Sequence, residues 1–265
     1  MEPLGNAIAR LRPRFQVQSN DASPAPEPEP EPSCPICKDH GFVRKDVDLG
    51  HPDFGRAFPC TCRAGEMRDR LRRRSNLGHL TGKSFDNFVP EGRDARIPGL
   101  SEAYAICRAW AEAPGEYEES WLVLTGPSGC GKTHLAAAIA NRQIELGNGV
   151  FFTVVPDLLD HLRATFGPGS DVTYDELFEA VRNVPLLVLD DLGTQSETSW
   201  AREKMFQVLN HRFNAELPTV ITTNHVLEEL DERLRTRLSD RDVARVVEIG
   251  RPAETRRHSV KKRPA

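Results

Sequence analysis

The sequence predicts an α/β fold with a five-stranded parallel sheet and helices on both faces. Five short segments rich in Val, Leu and Ile alternate with longer helical segments, which is the element order of parallel-sheet proteins. These apolar segments lack the in–out alternation of half-exposed strands, so they fit strands that are buried on both faces. We expect the strands near residues 121–125, 150–155, 186–190, 219–223 and 244–249.

The first predicted strand leads into the motif G-x-x-x-x-G-K-[ST], the P-loop that binds nucleotide phosphates. An apolar helix follows it, so the strand–loop–helix context that the motif needs is complete and a turn without a ligand is disfavoured. Backbone N–H groups of such a loop close around an anion, helped by the helix N-terminus. Lys132 is expected to reach the β- and γ-phosphates of ATP, and Thr133 to ligate Mg²⁺. The expected nucleotide-binding residues are Gly126, Pro127, Ser128, Gly129, Cys130, Gly131, Lys132 and Thr133.

Two adjacent carboxylates, Asp190 and Asp191, end the third predicted strand. In P-loop enzymes an acid at this place holds Mg²⁺, and we expect Asp190 to do so. Successive side chains of a regular strand point to opposite faces, so the strand must end here for both carboxylates to face the nucleotide. We expect Asp191 to orient and deprotonate the attacking water. The alternative, a helix-capping or turn-forming Asp pair, is common after strands but disfavoured by the P-loop upstream.

Two further places could act on the nucleotide. Asn224 ends the fourth strand and could bind the attacking water or the γ-phosphate, although from the residues alone a turn asparagine is an equal alternative. In the segment Glu232–Leu238, Arg233 and Arg237 share one face of a predicted helix. A guanidinium offered to a neighbour's γ-phosphate would stabilise transition-state charge, whereas most arginine clusters are only solvated faces.

A second motif, C-x₂-C…C-x-C, is formed by Cys34, Cys37, Cys60 and Cys62. Two chelating pairs across a short insert suit a tetrahedral structural Zn²⁺ site. The C-x-C pair is tighter than usual, so His40 or His51 could replace one cysteine, and a redox pair or unligated thiols are the alternatives. No apolar run reaches the roughly 18 residues of a membrane span, and the N-terminus lacks a signal-peptide core. We therefore expect a cytoplasmic protein without a membrane partner.

Changes in composition along the chain divide the 265 residues into six segments. The net charge of −4 by itself does not indicate a binding partner. Residues 19–33 contain a Pro/Glu repeat, which cannot build a core and predicts an extended linker. The expected segments are a possible helix at 1–18, the Pro/Glu linker at 19–33, the cysteine module at 34–62, a basic helical linker at 63–83, the main domain at 84–250 and a basic tail at 251–265.

Taken together, these motifs resemble the AAA+ ATPases, and within them the DnaC/DnaI-type replicative helicase loaders. The similarity runs from about Ser84 to Gly250 and is most specific at Gly126–Thr133, Leu189–Gly193 and Leu217–Asn224. The resemblance implies an AAA+ P-loop core preceded by a small zinc-binding module that docks on the helicase. Loaders of this type lack the C-terminal lid domain, and only about fifteen residues follow the last predicted strand.

The resemblance also implies residue roles. Asn224 corresponds to the sensor-1 residue, and Arg237 to the arginine finger, with Arg233 as the fallback. ATP would lie between neighbouring protomers, so the protein would self-associate through the ATP site. Arg163 and Phe166 fall where related loaders and initiators carry a helical insertion that faces single-stranded DNA. They could supply charge and stacking, although a core role for Phe166 is the alternative.

A dense basic stretch, Arg63 with Arg68–Arg74, is a second candidate for DNA contact. Arginines neutralise phosphates and release counterions, but a solvated helix or a dock for an acidic partner is equally compatible. We expect an Mg²⁺-dependent ATPase that assembles on the replicative helicase hexamer and delivers it to single-stranded DNA. The closest rival is an IstB-like transposition helper, against which the cysteine module and the Asp-Asp-Leu-Gly strand end argue. A non-hydrolysing scaffold is disfavoured by the complete set of catalytic positions.

Overall fold

The computed structural model describes residues 32–49, 51, 54–92, 96–114, 119–165, 173–193 and 198–250. The chain divides into two compact units, Met1–Cys60 and Thr61–Ala265. Three predicted features lie outside the described residues: the helix at 1–18, the basic tail at 251–265 and the stacking candidate Phe166. The same holds for most of the Pro/Glu linker, up to residue 31.

The first unit contains an antiparallel hairpin of β1 (Phe42–Arg44) and β2 (Ala57–Pro59). A tight turn precedes it, because the Asp39 carboxylate accepts the backbone N–H groups of Ser33 and Cys34 at 2.9 and 3.0 Å. After β2 the chain returns beside its starting point, where the Cys60 N–H donates to the Gly41 carbonyl at 2.9 Å. The hairpin therefore closes the loop between the two cysteine pairs.

The second unit is built on five parallel strands in the order β4-β5-β6-β3-β7. Each lies within one residue of its predicted position, which confirms the α/β class. All five residues are buried in β3, β5 and β6, as expected for strands covered on both faces. The strands are β3 (Trp121–Thr125), β4 (Val150–Val154), β5 (Leu186–Asp190), β6 (Thr219–Thr223) and β7 (Ala244–Glu248).

Helices cover both faces of this sheet and form two hydrophobic cores. Strand β3 shows the division, because Leu122 and Leu124 enter one core whereas Trp121 and Val123 enter the other. The helices are α1 (Ala64–Arg74), α2 (Leu100–Trp110), α3 (Lys132–Glu145), α4 (Val155–Ala164), α5 (Tyr174–Asn183), α6 (Ser199–Asn214) and α7 (Glu232–Leu238). The first core contains residues of α2 and α3, and the second contains residues of α4 to α7.

The chain after α1 covers the edge of the sheet at β4. The backbone N–H of Phe152, in the middle of β4, donates to the Ser75 carbonyl at 2.8 Å. The Asn76 side-chain amide donates to the Phe152 carbonyl at 2.9 Å. Leu71 of α1 packs against the first core. These contacts fix the C-terminal half of α1 to the sheet.

A fully buried arginine joins the N-terminal ends of β5 and β6. Arg212 of α6 donates to the carbonyls of Arg182, Val184 and Pro218 at 2.6 to 3.0 Å, and to the Thr219 hydroxyl. Burial lowers the pKa of Arg212 to about 9. These acceptors lie just before or at the start of β5 and β6, so one side chain holds the two strand entries together.

No helix among the described residues is long and apolar enough to cross a membrane. Within the same ranges no helix follows β7.

Candidate functional site

The P-loop joins β3 to α3 and is shaped by its glycines. Gly126, Gly129 and Gly131 have φ values of 151°, 80° and 104°, which L-residues with side chains rarely adopt. A Cβ atom at Gly126 would also collide with the backbone carbonyl oxygen of Ile249. Because α3 begins at Lys132, its first backbone N–H groups lie at the loop, as phosphate binding requires.

Lys132 occupies the centre of the site. Its ammonium donates to the carbonyls of Gly126 and Pro127 at 2.7 and 2.8 Å and to the Asn224 Oδ1 atom at 2.8 Å. The residue is only 6% exposed, so its charge is held in place by these three oxygens. The contact with Asn224 links the loop after β3 to the end of β6.

Asp190, the last residue of β5, is bound by two hydroxyl groups. Thr133 donates to its two carboxylate oxygens at 3.0 and 3.1 Å, and Thr222 donates to Oδ1 at 2.7 Å. Burial raises the pKa of Asp190, and the Asp191 carboxylate raises it further, against the opposing effects of these hydroxyls and Lys132. The carboxylate and the Thr133 hydroxyl are hard oxygen ligands side by side, so this pair fits an Mg²⁺ ion.

Asp191 turns toward the same edge because β5 ends at Asp190. Its φ of 62° is left-handed, a conformation that Asp tolerates better than most residues. Its backbone N–H donates to the Thr222 hydroxyl at 2.9 Å, and Asn224 donates to its Oδ1 atom at 2.6 Å. The structure thus places Lys132, Asn224 and Asp191 in one hydrogen-bonded chain.

Thr222 was not among the expected site residues. Its hydroxyl both donates to the Asp190 carboxylate and accepts from the Asp191 backbone, so it positions the two carboxylates relative to each other. The only sequence signal was the run of small polar residues that ends β6.

Two adjoining cavities open at the P-loop. One, of about 320 Å³, is lined by Ser128, Gly129, Gly131, Lys132 and Thr133 of the P-loop together with His134, Val154, Asp190, Asp191, Thr222 and Asn224. The other, of about 480 Å³, continues from Gly129, Gly131 and His134. Its remaining walls are mostly apolar and come from Phe88, Val89, Ile97 and Leu100, with Lys83, Asn87, Gly92 and Cys130. A polar cavity beside an apolar one suits a phosphate chain with an attached nucleoside.

The second cavity contains residues that the sequence analysis did not assign to the site. Phe88 stacks on Tyr104, with ring centroids 5.7 Å apart, and meets the His134 ring edge-on at 5.0 Å. The His134 Nε2 atom lies 2.9 Å from Asn87 Oδ1. The apolar and aromatic residues between 85 and 100 were a signal, but only their contacts show that they face one cavity.

The two candidate finger arginines do not line either cavity in the described part of their own chain. Arg237 donates to Asn210 Oδ1 from two nitrogens, at 3.0 and 3.3 Å, and lies over the Phe213 ring at 4.6 Å. Arg233 forms an ion pair with Glu203 at 3.1 Å. Both are thus held on α7 against α6.

Arg163, the charged candidate for DNA contact, lies near the end of α4 and is exposed. Its guanidinium pairs with Asp160 at 2.9 Å and lies over the Trp200 ring at 4.9 Å. Asp160 partly neutralises its charge, so it is a weaker phosphate ligand than an unpaired arginine would be.

The four motif cysteines come together, with all Sγ atoms within 4.8 Å of one another. Cys34 and Cys60 are 3.7 Å apart, and Zn–S bonds of about 2.3 Å in a regular tetrahedron would place the sulfurs about 3.8 Å apart. The Cys37 Sγ atom accepts the Gly41 N–H at 3.3 Å, as a thiolate ligand commonly does. The group formed by the described residues contains neither His40 nor His51. Its sulfurs fit a zinc ion.

Comparison with known proteins places these features in a family. A family model described as "IstB-like ATP binding protein" matches residues 116–263, more than half of the chain. The replicative helicase loader DnaC of Escherichia coli strain K12 is 34% identical over 160 residues, which are 60% of this chain and 62% of DnaC. The loader DnaI of Bacillus subtilis strain 168 is 33% identical over 150 residues, 52% of this chain and 47% of DnaI. The chain thus covers less than two thirds of these relatives.

Solved structures agree with the fold. A crystal structure of the DnaC helicase loader has a TM-score of 0.50 and 26% identity, covering 64% of this chain and 98% of that chain. A crystal structure of DnaI has a TM-score of 0.52 and 25% identity, covering 66% and 91%. The replication initiator DnaA bound to AMPPCP and single-stranded DNA has a TM-score of 0.53 at 23% identity, covering 63% and 49%, which shows a shared fold alone. The chain therefore belongs to the IstB/DnaC-like family of AAA+ ATP-binding proteins.

Proposed function

We propose that this protein is an Mg²⁺-dependent ATPase that loads a replicative DNA helicase onto single-stranded DNA. The observation that carries the ATPase part is the hydrogen-bonded chain Lys132–Asn224–Asp191 beside the Thr133–Asp190 pair. Binding alone would need only the loop, whereas this arrangement also supplies a group next to the phosphates that can orient and deprotonate a water molecule.

Each residue has a distinct role in this proposal. Lys132 exchanges its carbonyl partners for the β- and γ-phosphate oxygens, and Thr133 with Asp190 holds Mg²⁺, which neutralises the developing phosphate charge. Asp191 accepts the proton of the attacking water, and Asn224, which already contacts Asp191, fixes the direction of that water. The apolar cavity beside Phe88 receives the nucleoside.

Self-association completes the site. No arginine lines either of the cavities that the described residues form. The charge that P-loop ATPases place on the γ-phosphate would therefore come from Arg237 of a neighbouring copy. ATP would then lie between two protomers, and its hydrolysis would depend on their contact.

The relatives favour a helicase as the partner. The DnaC and DnaI proteins that match are named replicative helicase loaders in both Escherichia coli and Bacillus subtilis. The IstB-like family model covers the ATPase region, so it does not by itself separate a loader from a transposition helper. The names of the relatives favour the loader, and the N-terminal cysteine module is the expected docking element.

A contact surface for single-stranded DNA is offered by α1. Its five arginines, and Arg63 before it, are exposed, and among the described residues none of their guanidinium groups has a hydrogen-bonded or ion-paired partner. Like charges four residues apart repel on a helix, as in the pairs Arg68/Arg72 and Arg70/Arg74. A polyanion would relieve this repulsion.

The composition of α1 favours DNA over an acidic protein. Protein interfaces depend on apolar and aromatic anchors, and Met67 is the one exposed large apolar residue described on this helix. Guanidinium groups bind phosphate in a bidentate manner and need no such anchor. Because Leu71 and the Ser75–Phe152 bond fix α1 to the sheet, the charges stand at a defined place on the ATPase unit.

We further propose that Cys34, Cys37, Cys60 and Cys62 hold a structural Zn²⁺ ion. The support is the close approach of the four sulfurs. Thiolates packed this closely repel each other unless a cation or a proton compensates them. The ion would fix the turn at Cys34 and the end of β2.

The Asp191→Asn variant should bind ATP with nearly unchanged affinity but hydrolyse it about 10²- to 10⁴-fold more slowly, because the amide keeps the shape but cannot accept the proton. Steady-state phosphate release and binding of a fluorescent ATP analogue measure the two quantities. Asp157→Asn, at an exposed position on α4, is the matched control and should behave like wild type. Hydrolysis at the wild-type rate in Asp191→Asn would remove Asp191 as the base.

Native mass spectrometry with the replicative helicase of the same cell should show a stoichiometric complex on the hexamer that changes with ATP. Lys132→Ala should abolish the response to ATP, since the phosphates lose their main cation, while Lys204→Ala on α6 should not. Absence of a complex with and without ATP would contradict the loader function and favour the transposition helper.

Replacing Arg70, Arg73 and Arg74 by Gln should weaken binding of a fluorescent oligo-dT and lower the salt slope by about 0.7 per lost phosphate contact. Fluorescence anisotropy at salt concentrations between about 50 and 200 mM measures both the affinity and the salt slope. The control replaces Arg108, Arg202 and Arg241, which are also exposed, and removes the same charge. Equal losses in the two triple variants would show a general charge effect, contrary to the proposal.

The purified protein should contain one zinc ion per chain, and Cys34→Ser or Cys60→Ser should lose it and unfold the first unit at lower temperature. Inductively coupled plasma mass spectrometry gives the metal content. Cys107→Ser, in the first core of the second unit, should keep the zinc. A near-zero content after gentle purification, with all six thiols titratable in the folded protein, would disprove the site.

A further inference from the structure

We propose that Asn210 is the positioning residue for Arg237, and that it serves because its side chain is neutral. It would hold the guanidinium ready for a neighbour's ATP without cancelling its charge. This inference rests on the proposed role of Arg237 in trans, and it identifies a residue outside the P-loop, the Asp pair and the finger itself.

The observation behind it is a repeated arrangement on α6. Glu203, Phe206, Asn210 and Phe213 follow one another at intervals of three, four and three, so they lie along one face of the helix. Arg233 and Arg237 of α7 each meet one polar and one aromatic residue of this row. Arg233 meets Glu203 and lies over Phe206 at 4.5 Å, whereas Arg237 meets Asn210 and lies over Phe213 at 4.6 Å.

The two arrangements differ in charge. Arg233 pairs with Glu203 at 3.1 Å and with Asp231 at 3.6 Å, and its hydrogen bond lowers the pKa of Glu203. Arg237 has no carboxylate within ion-pair distance among the described residues. Its Nε and Nη2 atoms share the single amide oxygen of Asn210, at 3.3 and 3.0 Å. Arg233 is therefore neutralised in place, while Arg237 keeps its full positive charge.

This difference decides which arginine can stabilise transition-state charge. A preorganised cation is worth most when it is already oriented and need not leave an opposite charge to act. An amide oxygen competes weakly with a phosphate, whereas a carboxylate would have to be displaced. The residue that holds Arg237 must therefore orient it but remain uncharged, which Asn210 does.

The support for Arg237 extends into the sheet. The Phe213 ring meets Trp121, the first residue of β3, edge-on with centroids 5.9 Å apart. The Trp121 indole N–H donates to the Leu217 carbonyl at 3.2 Å. The platform beneath the guanidinium is thus anchored to β3, and Asn210 sets the direction in which the guanidinium points.

Mixed protomers test the inference. Arg237→Ala lacks the arginine but has an intact ATP site, and Lys132→Ala has a disabled site but keeps its arginine, so a mixture of the two should hydrolyse ATP although neither does alone. Asn210→Asp placed in the Lys132→Ala protomer should lower this activity by about tenfold or more, because a carboxylate neutralises the arginine. The same substitution placed in the Arg237→Ala protomer should have no effect.

The placement separates positioning from folding, since a variant that simply misfolds would reduce activity in both positions. Asn210→Ala in the arginine-donating protomer should also reduce the rate, with the Km for ATP unchanged at the receiving site. Glu203→Gln in the donating protomer is the matched control, and it should leave the rate unchanged. Full activity with Asn210→Asp in the donating protomer, or equal losses in both placements, would overturn the inference. A parent mixture without activity would instead overturn the arginine in trans.

Discussion

The register of three parallel strands determines the geometry of the nucleotide site. Thr125 at the end of β3 lies opposite Thr223 of β6, and Leu189 of β5 lies opposite Ile221. With this register Asp190 comes beside Thr222, and the hydroxyl of Thr222 reaches both the carboxylate of Asp190 and the backbone of Asp191. A slip by one residue would turn every side chain of a strand to the other face, so the two cores that enforce the register also enforce the site.

The charges of the site are balanced only when a ligand and a cation are considered together. Lys132 brings one positive charge, whereas Asp190 and Asp191 bring two negative ones. Burial raises the pKa of Asp190, and the carboxylate of Asp191 raises it further. An Mg²⁺ ion beside Asp190 would more than compensate the excess negative charge, and the phosphates would then use the surplus positive charge. Metal and nucleotide are therefore expected to bind as a pair rather than in sequence.

The fold could be read from the sequence because its signals are local. β3, β5 and β6 are apolar throughout, and the P-loop with the Asp pair marks two strand ends in the correct order. The apolar cavity beside the P-loop could not be predicted in this way, since Phe88, Ile97 and Leu100 come from an irregular segment and one helix end, and no periodicity links them. The same applies to Asn210 and Arg212. Their hydrogen-bond partners lie far along the chain or in the turn before β6, so the residues next to them in the sequence give no signal.

The edge of the sheet at β4 has a consequence for assembly. An open edge strand offers unpaired backbone groups to any other strand, and it is a common route to unwanted association. Here the middle of β4 is already engaged, since Ser75 accepts its N–H and Asn76 donates to its carbonyl. Growth of the sheet from one molecule to the next is thereby blocked on this side. At this edge any contact between copies of the protein is left to side chains.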